Sequence, residues 1–558
     1  MTDKTNDQEN KSGSLASTPE QLIKLISDAA FSAPQKYLVR KAAALESSTF
    51  TIEQRHLEQR IDADNDPRSS INKEEMIKWT DDLVAISKQS KDDGNILWGR
   101  IQGTKYERES LDWAEEKLKS FGIKEVHHDK FPSGQQQWRP TRNELRIVSA
   151  PSIEGFEALE LTTALTAFES KSTPVEGVEA ELIFVGDGTN SELRGRDLEG
   201  KIVLLRARVN PGALMSTARV AYSRIASGKW GNPAGVIIWF DIPKVSNIAG
   251  RVGAPGGADE IGNAIPWTGI NYEDGVYLRK LLDRSDETQP VTVYLNIQGV
   301  MDQPKDRMTG NVYGILPGKS EKFIHIMSHM DSYFYGLHDN GVAIAKNMAL
   351  AKYYASLPQD EREYGLVFMF HGDHEVPGLG GTREYVKKWK QEIDENLLLV
   401  IRSEHLGMQA KMDEGVIDGD SNVTMPLLLT LTNQSPALIK ILEEAQHLYT
   451  LPSSSRAITD PSADEMAFYP PHYTPPEGKP MPISVGWIQT GLHYHTTADV
   501  EQSLISFDAV EKYTRAHAYI IDQVFKITET DLRKNDVPYT AENNIYNSDA
   551  TILTLGDW

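Results

Sequence analysis

Cysteine is absent from the 558 residues of this chain, and its absence excludes several chemistries together. Without cysteine there are no disulfides, no thiolate metal ligands and no cysteine nucleophile. Any metal site in this protein must therefore be built from histidine and carboxylate side chains.

Positive charge and long apolar runs are also scarce. The chain has 58 Lys and Arg against 80 Asp and Glu, a net charge of -22, which disfavours nucleic acid and anionic membranes as partners because both need a basic surface. No apolar run has the length of a membrane span, and residues 1–16 lack the apolar core of a secretory signal. We therefore expect a cytoplasmic protein, or a periplasmic or secreted one if a signal peptide is removed from the mature chain.

The length predicts two or more domains, and changes in the residue pattern along the sequence divide the chain into segments. We predict an α/β fold, a mixed sheet flanked by helices, interrupted by a β-rich insertion in which short β-branched runs alternate with Gly and Pro. The predicted segments are a flexible tail at 1–16, a helical segment at 17–90, the first part of the α/β domain at 91–151, the inserted module at 152–300, the second part of the α/β domain at 301–529, and a C-terminal tail at 530–558. The early helices are suitable contacts for a homodimer.

Residues 324–354 are the stretch around which the sequence is organised. A short apolar run leads into His329 and Asp331, and Asp339 follows a few residues later. The residues after Asp339 have the apolar periodicity of a helix. Other predicted strand ends also carry metal-capable groups: Asp373 to Glu375, Glu404 with His405, Asp464, His493 and His495. Because the carboxyl ends of strands in an open α/β sheet share one crevice, we expect these side chains to converge on a divalent metal. His and carboxylate ligands suit zinc, with manganese or cobalt as alternatives.

Several motifs carry a family resemblance: SHMDS, HDNGVAIAKNMALAKYY, FMFHGDHEVPGLGGTREYV, SEHLGM, ADEMAF and LHYHTTAD. In this order, over roughly 90–525, the chain resembles the M28 family of zinc aminopeptidases and carboxypeptidases. The insertion, with VEAELIFVGDG, LEGKIVLLR, NPAGVIIWFD and TGINYEDGVYLRKLL, resembles a protease-associated domain, which implies a wall of the substrate cleft without catalytic groups.

The resemblance implies roles for individual residues. One zinc would be held by His329, Asp339 and Glu404, with Asp331 orienting His329. Asp339 would bridge to a second zinc, for which His495 is the implied ligand. Tyr494, in the same Tyr-His-Thr loop, is the implied oxyanion donor.

The glutamate pair expected at 374–376 departs from the family pattern. Aligned without a gap, Glu375 takes the general-base position and Val376 the ligand position, so the second metal loses a carboxylate. With one inserted residue, His374 becomes the base and Glu375 the ligand. We prefer the gap-free alignment, because Asp373 then matches an aspartate common two residues before the pair.

The sequence thus favours a metal-dependent hydrolase that cleaves an amide with a metal-activated water, most simply an exopeptidase acting on a peptide or small molecule. The extra histidines keep open a single-metal lyase or cyclase acting on a small non-peptide substrate. A non-catalytic binding module is a further alternative, disfavoured by the retained ligand set. Arg402, His371 and His405 are predicted substrate contacts. A cationic residue such as Arg402 would suit a carboxypeptidase, and Arg402 would equally suit a structural ion pair.

Overall fold

The computed structural model describes residues 66–133, 137–166, 170–207, 214–241, 264–302, 307–375, 379–409, 411–413, 416–418, 428–433, 435–451, 456–457, 463–489, 495–500 and 505–534. All of them lie within the compact unit Arg60–Trp558. Residues 17–65 of the predicted helical segment, and the two predicted tails apart from residues 530–534, fall outside the described residues.

The helices are α1 Lys73–Asp92, α2 Lys105–Ser120, α3 Asn190–Leu193, α4 Leu214–Ala226, α5 Tyr272–Leu282, α6 Val342–Ser356, α7 Gly380–Lys388, α8 Lys390–Asn396, α9 Pro436–Leu448, α10 Phe507–Val524 and α11 Glu529–Leu532. Short helical turns cover Leu337–Gly341, Gln359–Glu361 and Ala463–Phe468. The strands are β1 Glu125–Pro132, β2 Gln137–Ser149, β3 Leu159–Glu160, β4 Val178–Phe184, β5 Ile202–Ala207, β6 Gly235–Phe240, β7 Trp267–Ile270, β8 Thr292–Asp302, β9 Met308–Leu316, β10 Phe323–His329, β11 Gly365–His371, β12 Leu397–Glu404, β13 Lys411–Asp413, β14 Val416–Asp418, β15 Leu428–Leu431, β16 Arg456–Ala457 and β17 Ile483–Ile488.

Continuous apolar runs form the centre of the larger sheet. Among the described residues its strand order is β1-β9-β11-β10-β12-β17-β15-β16, and β11, β10, β12 and β17 run parallel to one another. Parallel strands are covered on both faces, which explains why β11 and β12 are apolar along their length rather than alternating. The carboxyl ends of these neighbouring strands therefore lie at one edge of the sheet.

Helices cover both faces of this sheet. Helices α1, α6 and α10 pack together on one face, over side chains such as Ile326 and Phe368. Helix α7 packs on the other face, where Tyr385 meets Met327. Helix α6 begins immediately after the Leu337–Gly341 turn, as the sequence predicts, and most of its side chains are buried. No helix among the described residues is long and apolar enough to cross a membrane.

Of the other two sheets among the described residues, one is the pair of β13 and β14. The other, called the smaller sheet below, has the order β3-β2-β8-β4-β5-β6-β7 and belongs to the β-rich part of the chain. Strands β4 to β7 are parallel neighbours, while β2 and β8 form a long antiparallel pair. Strand β2 precedes residue 152, where the sequence places the start of the insertion, yet it pairs with β8 along most of its length. The chain thus crosses between the two sheets after β1 and before β9.

Replacing Phe368 with Ala tests the position of β11 in the core. Because Phe368 is fully buried, the change should cost about 3–5 kcal/mol of unfolding free energy. The control Leu159→Ala, in a side chain that is 42% exposed, should cost less than about 0.5 kcal/mol. The unfolding midpoints in urea measure both, and equal losses would contradict this position.

Candidate active site

Three adjacent parallel strands end in side chains that meet at one edge of the larger sheet. His329 ends β10, His371 ends β11 and Glu404 ends β12, and His329 and His371 are register partners. All three side chains are buried. His329, His371 and Glu404 are spread over 75 positions of the chain. The structure brings them together because the parallel topology aligns the strand ends.

His329 is oriented so that its Nε2 atom faces the site. Its Nδ1–H donates to the main-chain oxygen of Asp331 at 3.0 Å, which leaves the lone pair on Nε2. That Nε2 lies 3.2 Å from Oδ1 of Asp339 and 3.8 Å from Oε1 of Glu404. Neither Nε2 of His329 nor Oδ1 of Asp339 makes a hydrogen bond, although both are buried.

These distances fit ligands of a common cation. Zinc bonds of about 2.0–2.2 Å place neighbouring ligand atoms of a tetrahedral site about 3.3 Å apart. Ligand atoms that bind one ion direct their lone pairs at the ion and not at each other. Such atoms are therefore expected to lie close together without forming a hydrogen bond. The donor set of one imidazole and two carboxylates also suits zinc.

Asp339 lies between two groups of ligand-capable atoms. Its Oδ2 lies 2.9 Å from Nε2 of His495, and that nitrogen lies 3.1 Å from Oε1 of Glu375. Ligand-capable atoms of His329, Asp339 and Glu375 all lie within 4.8 Å of one another. One carboxylate therefore faces His329 with one oxygen and His495 with the other, as a residue bridging two ions would.

Asp499 fixes the backbone that carries Asp339. Its Oδ1 accepts the main-chain N–H of His338 at 2.7 Å, and its Oδ2 accepts that of Asp339 at 3.0 Å. Because Asp499 follows His495 by four residues, it ties the two loops together. Asp499 is the last residue of the motif LHYHTTAD, which includes His495, but the sequence pattern predicted no role for it.

The carboxylate of Asp331 holds the loop of His374 and Glu375. Its Oδ2 accepts the main-chain N–H groups of His374 at 2.9 Å and Glu375 at 2.8 Å. The resemblance implied that this carboxylate orients His329, but its Oδ1 is 3.8 Å from Nδ1 of His329. The main-chain oxygen of Asp331 performs that orientation instead, so the residue serves both loops.

His374 pairs with Asp464 and stacks on His329. Its Nδ1–H donates to Oδ1 of Asp464, and its Nε2 lies 3.6 Å from Oε1 of Glu404. The rings of His329 and His374 are stacked, with centroids 3.9 Å apart and planes at 11°. Ligand-capable atoms of His329, His374 and Glu404 also lie within 4.8 Å of one another.

The three predicted substrate contacts are all buried and paired with acidic side chains. Nε2 of His371 lies 3.1 Å from Oδ2 of Asp464, and Nε2 of His405 lies 3.0 Å from Oδ1 of Asp339. The guanidinium of Arg402 is fully buried and forms ion pairs with Glu404 and Glu465. Tyr494 and Val376 lie outside the described residues.

The pKa values of these groups follow from burial and pairing. Burial raises the pKa of Asp331 to about 6 and that of Asp499 to about 7. Burial also opposes ionisation of Asp339 and Asp464, but the facing histidines outweigh it and hold both pKa values well below the usual range. Conversely, burial lowers the pKa of His374, and the charge of Asp464 outweighs this and raises that pKa to about 9. A dication bound to these ligands would release protons from the histidines.

Comparisons with known proteins give one family match and several similar folds. Residues 311–521 match the family model described as peptidase family M28. A zinc aminopeptidase from Bacillus subtilis is similar in fold, with 19% identity, a TM-score of 0.55, and coverage of 83% of this chain and 98% of the other. A peptidase M28 precursor from Shewanella amazonensis SB2B has 18% identity, a TM-score of 0.56, and coverage of 82% and 97%. No curated protein matches the chain significantly.

The match of residues 311–521 to the model of peptidase family M28 identifies this protein as a metal-dependent hydrolase. The matched residues include His329, Asp339, Glu375, Glu404 and His495.

Replacing Arg402 with Met distinguishes a structural role from substrate binding. Removing one partner of a buried ion pair leaves unpaired carboxylates, so we expect a loss of about 3–5 kcal/mol of stability. Adding Glu465→Gln removes one of those carboxylates and should recover part of the loss. Thermal unfolding measures both variants. Unchanged stability with a raised KM in the single variant would instead assign Arg402 to substrate binding.

Proposed function

We propose that the protein is a zinc aminopeptidase that removes N-terminal residues from peptides with two zinc ions. The proposed ligands of the first zinc are His329, Asp339 and Glu404, and those of the second are Asp339, Glu375 and His495. When bound, zinc lowers the pKa of its water towards neutrality and polarises the substrate carbonyl. The zinc aminopeptidase from Bacillus subtilis, similar in fold, supports the choice of metal and reaction.

The observation that carries the proposal is the position of Glu375. Its Oε1 lies 3.1 Å from Nε2 of His495, on the side where Oδ2 of Asp339 also approaches that nitrogen. This supports the alignment with one inserted residue, in which Glu375 is a ligand. The gap-free alignment, in which Glu375 is the general base, is not adopted in the proposal.

His374 is the proposed general base. Asp464 holds its Nδ1–H, which leaves Nε2 facing the site beside Glu404. Zinc bound beside it by His329 and Glu404 would oppose the raised pKa of His374, because a nearby cation disfavours the protonated ring. In its unprotonated form, Nε2 accepts a proton from the attacking water and returns it to the nitrogen of the leaving amine. The dyad of His374 and Asp464 would replace the family's glutamate base, with the aspartate fixing the tautomer as in other histidine–carboxylate pairs. Tyr494 remains the proposed oxyanion donor on the family resemblance.

Recognition of a free carboxylate needs a cationic side chain that is available to the substrate. Arg402, the candidate for a carboxypeptidase, is fully buried and ion-paired with Glu404 and Glu465. An aminopeptidase therefore fits the described residues better than a carboxypeptidase.

Modified substrates test the reaction. We expect an aminoacyl 4-nitroanilide with a free amine to be hydrolysed, with activity lost in a chelator and restored by zinc. N-acetylation should lower kcat/KM at least about 100-fold because it blocks the free amine that an aminopeptidase recognises, whereas amidation of a peptide's C-terminus should change it less than about threefold. The opposite pattern would indicate a carboxypeptidase, and no hydrolysis of either series would refute a peptidase.

The proposed roles of Glu375 and His374 can be distinguished by the zinc content of variants. We expect Glu375→Gln to keep one zinc instead of two, because a carboxylate ligand is lost. His374→Gln should keep both zinc ions while kcat falls by about 10²–10⁴. Elemental analysis and steady-state kinetics measure these effects, and Glu157→Gln, at an exposed position, is the matched control. A Glu375→Gln variant with two zinc ions and little activity would support the gap-free alignment.

A further inference from the structure

The loop between β11 and α7 carries both His374 and Glu375, and Asp373 is its main anchor. Asp373 is fully buried and has a φ of +58°, a strained value for a residue other than glycine. Its main-chain oxygen accepts the N–H of Gly380 at 3.0 Å, and its Oδ1 accepts the hydroxyl of Ser133 at 2.6 Å. A strained conformation persists only when its surroundings fix it, so these contacts determine where the next two residues point.

Ser133 lies where the chain leaves the larger sheet for the smaller one, directly after β1. Its hydroxyl donates to Asp373 and accepts from Nη2 of Arg307 at 2.6 Å. Its main-chain N–H donates to the main-chain oxygen of Arg307 at 2.8 Å. Arg307 immediately precedes β9, where the chain returns. The two crossings are thus bonded to each other and to the loop of His374 and Glu375.

Glu107 of helix α2 holds the same loop from another direction. Its Oε1 accepts the main-chain N–H of Asp373 at 3.0 Å and the hydroxyl of Thr309 at 2.9 Å, and its Oε2 accepts the N–H of Gly103 at 2.6 Å. The fit is close, since a Cβ atom on Gly372 would lie 2.2 Å from Oε1 of Glu107. Both Glu107 and Ser133 lie outside residues 311–521, the segment that matches the family model.

We propose that Ser133 and Glu107 are positioning residues that act through Asp373 to hold His374 and Glu375 in their working orientation. The inference rests on the proposed function, because it takes the roles of those two residues from it. Loosening the loop should weaken the second zinc, which Glu375 binds, and slow the step that His374 serves. The first zinc, held by ligands on β10, β12 and the turn before α6, should be unaffected.

Ser133→Ala tests this inference, with Ser133→Thr as the conservative rescue. Ser170→Ala is the matched control, because the Ser170 hydroxyl is also buried and hydrogen-bonded, to the N–H of Trp267 at 3.0 Å, but lies in the smaller-sheet region. For Ser133→Ala we expect the Kd of the second zinc to rise about 10-fold or more and kcat to fall about 10-fold, the scale typical of residues that orient metal ligands. KM should change less than kcat, and Ser133→Thr should lie within about threefold of wild type.

The controls distinguish a failure of the positioning role from a failure of the proposed function. If Ser133→Ala matched Ser170→Ala in zinc Kd and kcat, the positioning role would be refuted, whatever the unfolding temperatures. If Ser133→Ala does not fold, Glu107→Gln serves instead, since its amide N–H₂, whichever carboxylate oxygen it replaces, faces the N–H of Asp373 or of Gly103 and cannot accept it. The same two readouts apply. A wild type that binds fewer than two zinc ions would refute the proposed function itself, before any variant is compared.

Discussion

Buried negative charge is the constraint on which this site depends. The carboxylates of Asp331, Asp339, Glu375, Glu404 and Asp464 gather at one sheet edge, and none of these residues is more than 3% exposed. A buried charge left without a partner costs several kcal/mol. Histidines face three of these carboxylates closely, and Arg402 pairs with Glu404. Divalent cations offset the remaining charge more effectively than protons, so metal binding and stability are expected to be coupled.

The fold meets this constraint by placing each charge on a rigid support. Parallel strands β10 and β12 deliver His329 and Glu404 at one edge, and the turn before α6 delivers Asp339. Asp499 fixes that turn, and the main-chain oxygen of Asp331 fixes the tautomer of His329. The less regular half of the site is the loop of His374 and Glu375, which depends on side-chain hydrogen bonds from Asp331, Glu107 and Ser133.

Much of this was predictable from the sequence, for physical reasons. The continuous apolar runs of β10 to β12 predict buried parallel strands, and parallel strands align their carboxyl ends, so the meeting of His329 and Glu404 follows from pattern alone. The periodic helix α6 and its start after Gly341 follow in the same way. The family resemblance added the chemistry, and the family match at 311–521 confirmed that resemblance.

Other features depend on long-range contacts that a linear pattern does not carry. Arg402 was predicted to be a substrate contact from its place beside Glu404, but its pairing with Glu465 depends on how the Ala463–Phe468 turn packs on β12. Glu107 gave no signal, because one glutamate in a polar helix resembles any other. Strand β2 was grouped with the first part of the α/β domain, yet its pairing with β8 depends on a register between strands more than a hundred residues apart.

The central claim is that Asp339 bridges two ions, with Glu375 a ligand of the second. Anomalous diffraction at the zinc edge, from crystals of the zinc-loaded protein, tests this most directly. The account predicts two peaks on either side of Asp339, with the Glu375 carboxylate about 2.0–2.2 Å from the ion that also binds His495. A single peak held by His329, His374 and Glu404, with Glu375 out of bonding distance, would contradict it.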